Sequence, residues 1–281
     1  MNYQHRYHAG NFADVIKHAI MIALLQRLQQ KNKPMVILDV FAGAGLYDLN
    51  SPEAQKSQEY QHGISRLLNT PVLSIPALQK LKQCVLDLNS NDEKLFYPGS
   101  PWILSQLLKP RDRLILVEKH PLVYQQLKAH FYRHAHIAIH HRDAYEALKA
   151  LLPPEPRRGF VLMDPPYEDK NEFEHLTGAL QHALSRWENG IFLLWYPIKT
   201  TSNLTAFYRK VSRLSCDEIM NATLRVLPNS APGLIGCGFI LLNSPYQFDT
   251  EFKSILQMLA KILDPCEKAS FQCQWLKAAR D

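Results

Sequence analysis

The sequence predicts an α/β protein built on one mostly parallel, seven-stranded sheet, doubly wound, with a small helical insertion after its first strand. Three observations predict it. Short apolar runs alternate with helix-periodic stretches along most of the chain, the pattern of a parallel sheet covered on both faces. The first such run, Met35-Val36-Ile37-Leu38-Asp39-Val40, is β-branched and lacks polar alternation, as a strand buried on both sides requires. Glycines or carboxylates then recur where successive strands end, the edge at which open sheets bind ligands.

In chain order, Asn11-Phe12-Ala13-Asp14 reads as a helix start, with Asn11 as N-cap and Asp14 reaching back from the third position. Val15, Ile16, Ala19, Ile22, Ala23 and Leu28 follow at helical spacing until the Lys31-Asn32-Lys33-Pro34 break. The first strand ends at Phe41-Ala42-Gly43-Ala44-Gly45, where small residues allow a tight turn and close approach to a ligand. Further strands are expected at residues 113–118, 137–140, 159–164, 190–196, 222–227 and 236–243. Helices are expected at 121–134 and 145–151. Pro228-Asn229-Ser230-Ala231-Pro232-Gly233 suits an antiparallel hairpin at the sheet edge. In a plain dinucleotide-type unit about 20 residues separate the glycines from the next acidic strand end; Glu118 lies much further on. The interval contains helical stretches at 59–68 and 77–88 and reads as an insertion. The expected division is therefore a main domain of residues 1-46 and 96-281, interrupted by a helical subdomain, 47-95.

Composition excludes several classes. Of the 281 residues 46% are hydrophobic, enough for a packed core, and no apolar run is long enough to span a membrane. The polar N-terminus lacks a signal-peptide core, so a cytoplasmic location is expected. Five cysteines without C-x-x-C spacing read as reduced, mostly buried thiols, and the histidine pairs lack further ligands at metal spacing, so no metal is expected. The net charge of +6 is spread over small basic groups, which fits a groove for a polyanion better than a disordered arm.

Chemistry concentrates at Asp164-Pro165-Pro166-Tyr167, after the apolar run 159–163. The carboxylate ends a buried strand. Two prolines remove two backbone donors, so the carbonyls of Asp164 and Pro165 stay available as acceptors beside an aromatic face. Acceptors and a ring suit a flat base bearing an amino group. With Gly43 after the first strand, Glu118 ending the next, Asp143 after the third and Asp164 after the fourth, the series is placed to hold an adenosyl group. Glu118 is expected to accept ribose hydroxyls and Asp143 the adenine N6, with the Ala144 amide donating to the ring.

The D-P-P-Y motif resembles that of amino-group methyltransferases that use S-adenosylmethionine. Together with residues 8–18 (His8 to His18), Leu38 to Gly45, Tyr97-Pro98-Gly99-Ser100-Pro101 and Met163 to Tyr167, it makes the chain similar, nearly end to end, to the RlmJ family. The resemblance implies a Rossmann-like class I methyltransferase fold. It also implies methyl transfer from S-adenosyl-L-methionine to an adenine N6 in large-subunit (23S) ribosomal RNA, by a monomer acting on naked RNA or early assembly particles. By position it puts the cofactor against His18, Phe41, Gly43, Ser100, Glu118, Asp143, Ala144 and Asp164. The substrate falls against Tyr3, His5, Lys17, Pro165 and Tyr167, with Asp164 catalytic. Read locally, Ser100 before Pro101 is also an N-cap, and Lys17 an exposed residue on the polar face of the first helix. Two other functions stay open: a DNA adenine methyltransferase, disfavoured by the absence of a sizeable target-recognition region, and a non-catalytic RNA-binding assembly factor on the same scaffold.

Overall fold

The computed structural model describes residues 4–90, 95–201, 203–264 and 268–278. After a 3-10 turn at His5–Tyr7, helix α1 (Phe12–Gln29) leads into strand β1 (Val36–Asp39). The chain then leaves the sheet through β2 (Leu46–Asp48), α2 (Pro52–Ser57), α3 (Ile64–Asn69) and α4 (Pro76–Leu88). It returns by β3 (Phe96–Pro98), which pairs antiparallel with β2, and α5 (Ser100–Leu107). From there strands and helices alternate: β4 (Arg113–Glu118), α6 (Pro121–Phe131), β5 (Ile137–His141), α7 (Ala144–Leu151), β6 (Gly159–Met163), α8 (Glu172–Arg186), β7 (Ile191–Lys199) and α9 (Thr205–Val211). The hairpin β8 (Ile219–Arg225) and β9 (Leu234–Leu242), helix α10 (Phe248–Leu263) and β10 (Ser270–Lys277) complete the described chain.

The main sheet has the order β10-β8-β9-β7-β6-β1-β4-β5. Pairings from β7 through β5 are parallel, and β7–β9, β8–β9 and β8–β10 are antiparallel. This is the expected doubly wound sheet with one strand more than the sequence reading counts. The eighth, β10, alternates exposed and half-buried residues and carries Gln272, Gln274 and Lys277, so its apolar signal is weak. It also covers β8, so the β8–β9 hairpin does not form the sheet's edge as expected.

Alternation along the strands divides the core in two. Met35 and Ile37 of the β1 region, with Phe160 and Leu162 of β6, face a core shared with α1, α4, α5, α6 and α10. Val36, Leu38, Val161 and Met163 face the layer of α7, α8 and α9. A two-residue side-chain period produces this split directly.

Helix α1 departs from an ordinary surface helix: every residue from Phe12 to Leu25 is buried. It lies under the sheet with α4 and α10 packed beside it. Ala54, Ile64, Leu67, Leu78 and Leu81 of the excursion between β2 and β3 join the same core. Truncating a core leucine such as Leu24 to alanine costs about 2–5 kcal/mol.

Candidate functional site: a cleft at the carboxyl edge of the sheet

A cavity of about 1890 Å³ opens along the carboxyl edge of the parallel strands. A site for one drug-sized molecule occupies roughly 300–1,000 Å³, so this one has room for two. Its walls come from the loop after β1, the ends of β4, β6 and β7, the starts of α1 and α7, and Ser100 of α5.

One end is built from strand-end carboxylates and backbone amides. Gly43 has φ +67, and a Cβ there would lie 2.5 Å from the Tyr47 hydroxyl, so the turn requires glycine. Its amide donates to Glu118 Oε2 at 3.0 Å, and the His120 amide donates to Oε1 at 2.6 Å. Asp143 caps α7, accepting from the amides of Tyr145 and Glu146, and Lys119 Nζ donates to its other oxygen at 3.0 Å. Burial opposes the charge on Asp143, but the Lys119 hydrogen bond and the two amides hold its carboxyl below the ordinary value. Ala144 is buried, and the half-buried Phe41 ring meets Tyr145 edge-on at 6.0 Å.

Under the loop, Ser100 Oγ donates to Asp39 Oδ2 at 2.6 Å, and the Phe41 amide donates to Oδ1. Burial pushes the Asp39 carboxyl up to about 6 despite the Ser100 hydrogen bond. The N-cap of α5 is Gly99, so the N-cap reading of Ser100 does not hold: its hydroxyl serves Asp39 from the first helical position. His18 stacks on Tyr97 with Nδ1 2.8 Å from the hydroxyl, while its buried Nε2 has no partner among the described residues. Burial, followed by the neighbouring Lys17 charge, pushes the His18 pKa down to about 3, so the ring is neutral.

The other end is assembled around Lys17. Its ammonium donates to Asp164 Oδ2 at 2.5 Å and to Asp14 Oδ1 at 2.9 Å. Burial works against the charge, but the two carboxylates outweigh it and raise the Lys17 pKa well above its ordinary value. Asp14 Oδ2 also accepts from the Gly10 amide, and His5 Nε2 lies 3.0 Å from it. Burial opposes the Asp14 charge, yet His5 and Lys17 hold its carboxyl well below the usual range. Lys17 is 6% exposed, which corrects its reading as a residue on the polar face of α1. Asp164 Oδ1 has no partner among the described residues.

Beyond Asp164, Pro165 is buried and Tyr167 takes a left-handed conformation, φ 52. The Tyr167 hydroxyl donates to the Trp195 carbonyl at 2.7 Å, and its ring packs on Phe173 and Trp195.

Of the residues expected at the site, His5, Lys17, His18, Phe41, Gly43, Ser100, Glu118, Asp143, Ala144, Asp164, Pro165 and Tyr167 all line this cleft. Tyr3 lies outside the described residues. Sequence reasoning missed three groups. Asp14 reads as a capping residue, and Asn11 does accept from its amide at 3.0 Å; its tie to Lys17 and His5 is a tertiary feature. Asp39 was marked only by a carboxylate inside an otherwise apolar strand. Glu172, 7% exposed, accepts from the Tyr145 hydroxyl in the cleft wall, and nothing near it in sequence signals that role. Among the described residues no group of three or more His, Cys, Asp or Glu side chains could hold a metal ion.

The family model described as "Ribosomal RNA large subunit methyltransferase D, RlmJ" matches residues 32–277. The chain belongs to the RlmJ family. It is 33% identical over 278 residues to Ribosomal RNA large subunit methyltransferase J of Escherichia coli (strain K12), covering 98% of this chain and 99% of that one. The Haemophilus influenzae protein of the same name gives the same identity and coverage. A crystal structure of a Legionella pneumophila protein superposes with a TM-score of 0.86 at 33% identity, covering 95% of this chain and 98% of that one. The sheet order, with antiparallel β9 inserted between β7 and β8, is that of the Rossmann-like class I methyltransferase fold.

Proposed function

We propose that the protein transfers a methyl group from S-adenosylmethionine to the exocyclic N6 of an adenine in 23S ribosomal RNA. The observation that carries the proposal is Asp164 at the carboxyl edge of β6. One of its oxygens is held by buried Lys17 and the other is open to the same cleft as the Gly43 loop and Glu118. The RlmJ relatives, named for methylation of large-subunit ribosomal RNA, support this substrate.

The residues present fit the methyl donor. The glycine turn lets backbone approach closely, Glu118 offers carboxylate lone pairs for ribose hydroxyls, and buried His18 Nε2 awaits a partner. His18, Phe41, Gly43, Ser100, Glu118, Asp143 and Ala144 would hold it, with Asp164 at the junction of donor and acceptor. S-adenosylmethionine supplies a methyl group activated by a positively charged sulfur.

The protein's part is positioning, which can contribute much of the rate when reacting atoms are held in line. The adenine amine is a weak nucleophile because its lone pair is delocalised into the ring. Hydrogen bonds from N6 to Asp164 Oδ1 and to the Pro165 carbonyl draw that nitrogen toward tetrahedral geometry. As N6 takes the methyl group the bond from that methyl to sulfur would break, leaving a neutral thioether; N6 then carries the positive charge and readily loses a proton to Oδ1 or to water. Lys17 fixes Oδ2, so Asp164 acts first as an oriented acceptor. The base must be unpaired or flipped to enter, and Tyr167 replaces its lost stacking. His5 and Lys17 lie on the substrate side, a role that the family resemblance extends to Tyr3.

The enzyme acts in this reading as a cytoplasmic monomer on naked RNA or early assembly particles. Residues 1-46 and 96-281 form its catalytic domain, with 47-95 inserted. Incubation with methyl-labelled S-adenosylmethionine tests it. Label is expected as N6-methyladenine in deproteinised 23S rRNA, with little in duplex DNA or mature large subunits. Label in duplex DNA alone overturns the RNA substrate, and label in neither overturns catalysis.

A further inference from the structure

The outer edge of the sheet, where α6 packs against β5, carries an unusual charge distribution. Residues 119–142 contain Lys119, Lys128, Arg133 and Arg142, half of the chain's 12 histidines, and no aspartate or glutamate. They hold +4 of the chain's net +6. Lys119 is paired with Asp143. Lys128, Arg133 and Arg142 are exposed and form no ion pair with a described carboxylate.

Aromatic rings lie among these charges. Lys128 sits 5.9 Å from the centre of the Tyr124 ring, and Arg133 5.0 Å from that of Tyr132, which is 63% exposed. Tyr124 stacks on His141 at 4.7 Å, and His134 meets His136 at 5.9 Å. The first contact ties the start of α6 to the end of β5 and the second lies in the turn that joins them, so the charges form a stripe along the sheet edge. An eleven-residue helix is about 16 Å long.

The stripe is continuous with the cleft, since Lys119, His120, Val123, Gln126 and His130 line its wall. Three unpaired cations with one exposed aromatic ring, Tyr132, and no carboxylate within the segment to repel phosphates are the footprint of a nucleic-acid surface.

We propose that the α6–β5 edge is a second RNA-binding surface, holding the phosphates of the ribosomal RNA that flanks the nucleotide in the cleft. The inference rests on the methyltransferase reading of the cleft for the identity of the RNA. Lys128, Arg133 and Arg142 bind phosphates, and Tyr132 offers a face to an unpaired base. Two places then anchor the RNA, and the surface contributes affinity without touching the reacting atoms.

The test compares the triple variant K128A/R133A/R142A with a control, K80A/K253A/K261A, which removes the same charge from exposed positions of α4 and α10. Binding of deproteinised 23S rRNA is measured by filter retention across salt concentrations, S-adenosylmethionine binding by calorimetry, and folding by melting temperature. The edge variant is expected to bind RNA about tenfold more weakly at 0.15 M salt. The slope of log K against log salt should become shallower by about 2, from roughly 0.7 per phosphate. Its cofactor affinity and melting temperature should match the wild type, and the control should bind as the wild type does. Equal weakening in both triples, or no change in the edge variant, overturns the surface. If the edge triple lowers the melting temperature, R133A and R142A taken singly carry the same comparison at about a third of the slope change each. A wild type that binds RNA through this edge yet methylates none would refute the cleft reading and leave the surface standing.

Discussion

At the end of the cleft proposed for the methyl donor, Glu118 and Asp143 place their oxygens largely on backbone amides, those of Gly43 and His120 for one and of Tyr145 and Glu146 for the other. At the acceptor end, Asp164 is held by the side chain of Lys17, 147 residues away in sequence, and Lys17 by Asp14. The donor end is half-exposed, so water can satisfy its carboxylates before a ligand arrives. The acceptor end places a cation between two carboxylates with Lys17 and Asp14 almost wholly buried. The first arrangement is cheap to build and open to exchange. The second is costly to disturb, because each buried charge relies on the others.

Lys17→Met gives the largest expected effect. It strands Asp14 in the interior, and breaking a buried pair costs about 3–5 kcal/mol. Urea titration should show a loss of that order, together with loss of methyl transfer. The double variant Asp14→Asn with Lys17→Met should regain part of the stability and none of the activity. An unchanged unfolding midpoint in the single variant would mean that the two ends of the cleft do not differ in this way.

Asp164→Asn should reduce methyl transfer by about 10²–10³, the usual scale for removing one preorganised electrostatic contact. Lys17 keeps Asp14, so the circular dichroism spectrum should be unchanged. Activity within a few-fold of wild type would remove Asp164 from its role.

Glu118→Ala acts at the other end. Loss of a charged acceptor lowers S-adenosylmethionine affinity by about 1.5–3 kcal/mol, measured by calorimetry, and stability changes less than in Lys17→Met. A fall in stability without a fall in affinity would reverse the assignment of the two ends.

His18 gives the smallest effect and a pH signature. Its folded pKa, about 3, lies below the unfolded value near 6.5. Below pH 6.5 the unfolded chain takes a proton that the folded chain refuses. The contribution is therefore complete above pH 6.5 and is lost as pH falls toward 3, by about 1.4 kcal/mol per unit. Asp39, raised to about 6, opposes this by binding a proton in the folded state first. The stability of wild type minus that of His18→Gln should thus fall by about 2 kcal/mol between pH 7 and pH 5. A pH-independent difference would show that His18 is not held neutral.

The same contrast explains what the sequence disclosed. Glycines and strand-end carboxylates declare themselves locally, because a turn or an edge demands those residue types, and Gly43, Glu118 and Asp164 were legible for that reason. Asp143 was legible as an edge carboxylate, and its cap on α7 is added by the structure. Lys17 resembles any helical lysine until Asp164 is brought beside it, so its place came from the family pattern and its burial was unforeseen. Asn11 caps α1 as expected, but the Asp14 side chain does not reach back to the Asn11 amide: Oδ1 takes Lys17, and Oδ2 the Gly10 amide and His5, partners that the sequence conceals. Strand β10 escaped because half-exposed edge strands carry little apolar signal.

Burial of α1 on all sides also bears on how the chain is made. The helix leaves the ribosome before α10, which covers it; Arg27 of α1 bonds Glu251 of α10 across 224 residues. At about 5–20 residues per second of synthesis, α1 waits roughly 10–45 s for that partner. Throughout that interval the face of α1 that α10 covers stays open on the nascent chain, exposed to chaperones and proteases, and a product truncated before residue 248 cannot close its own core.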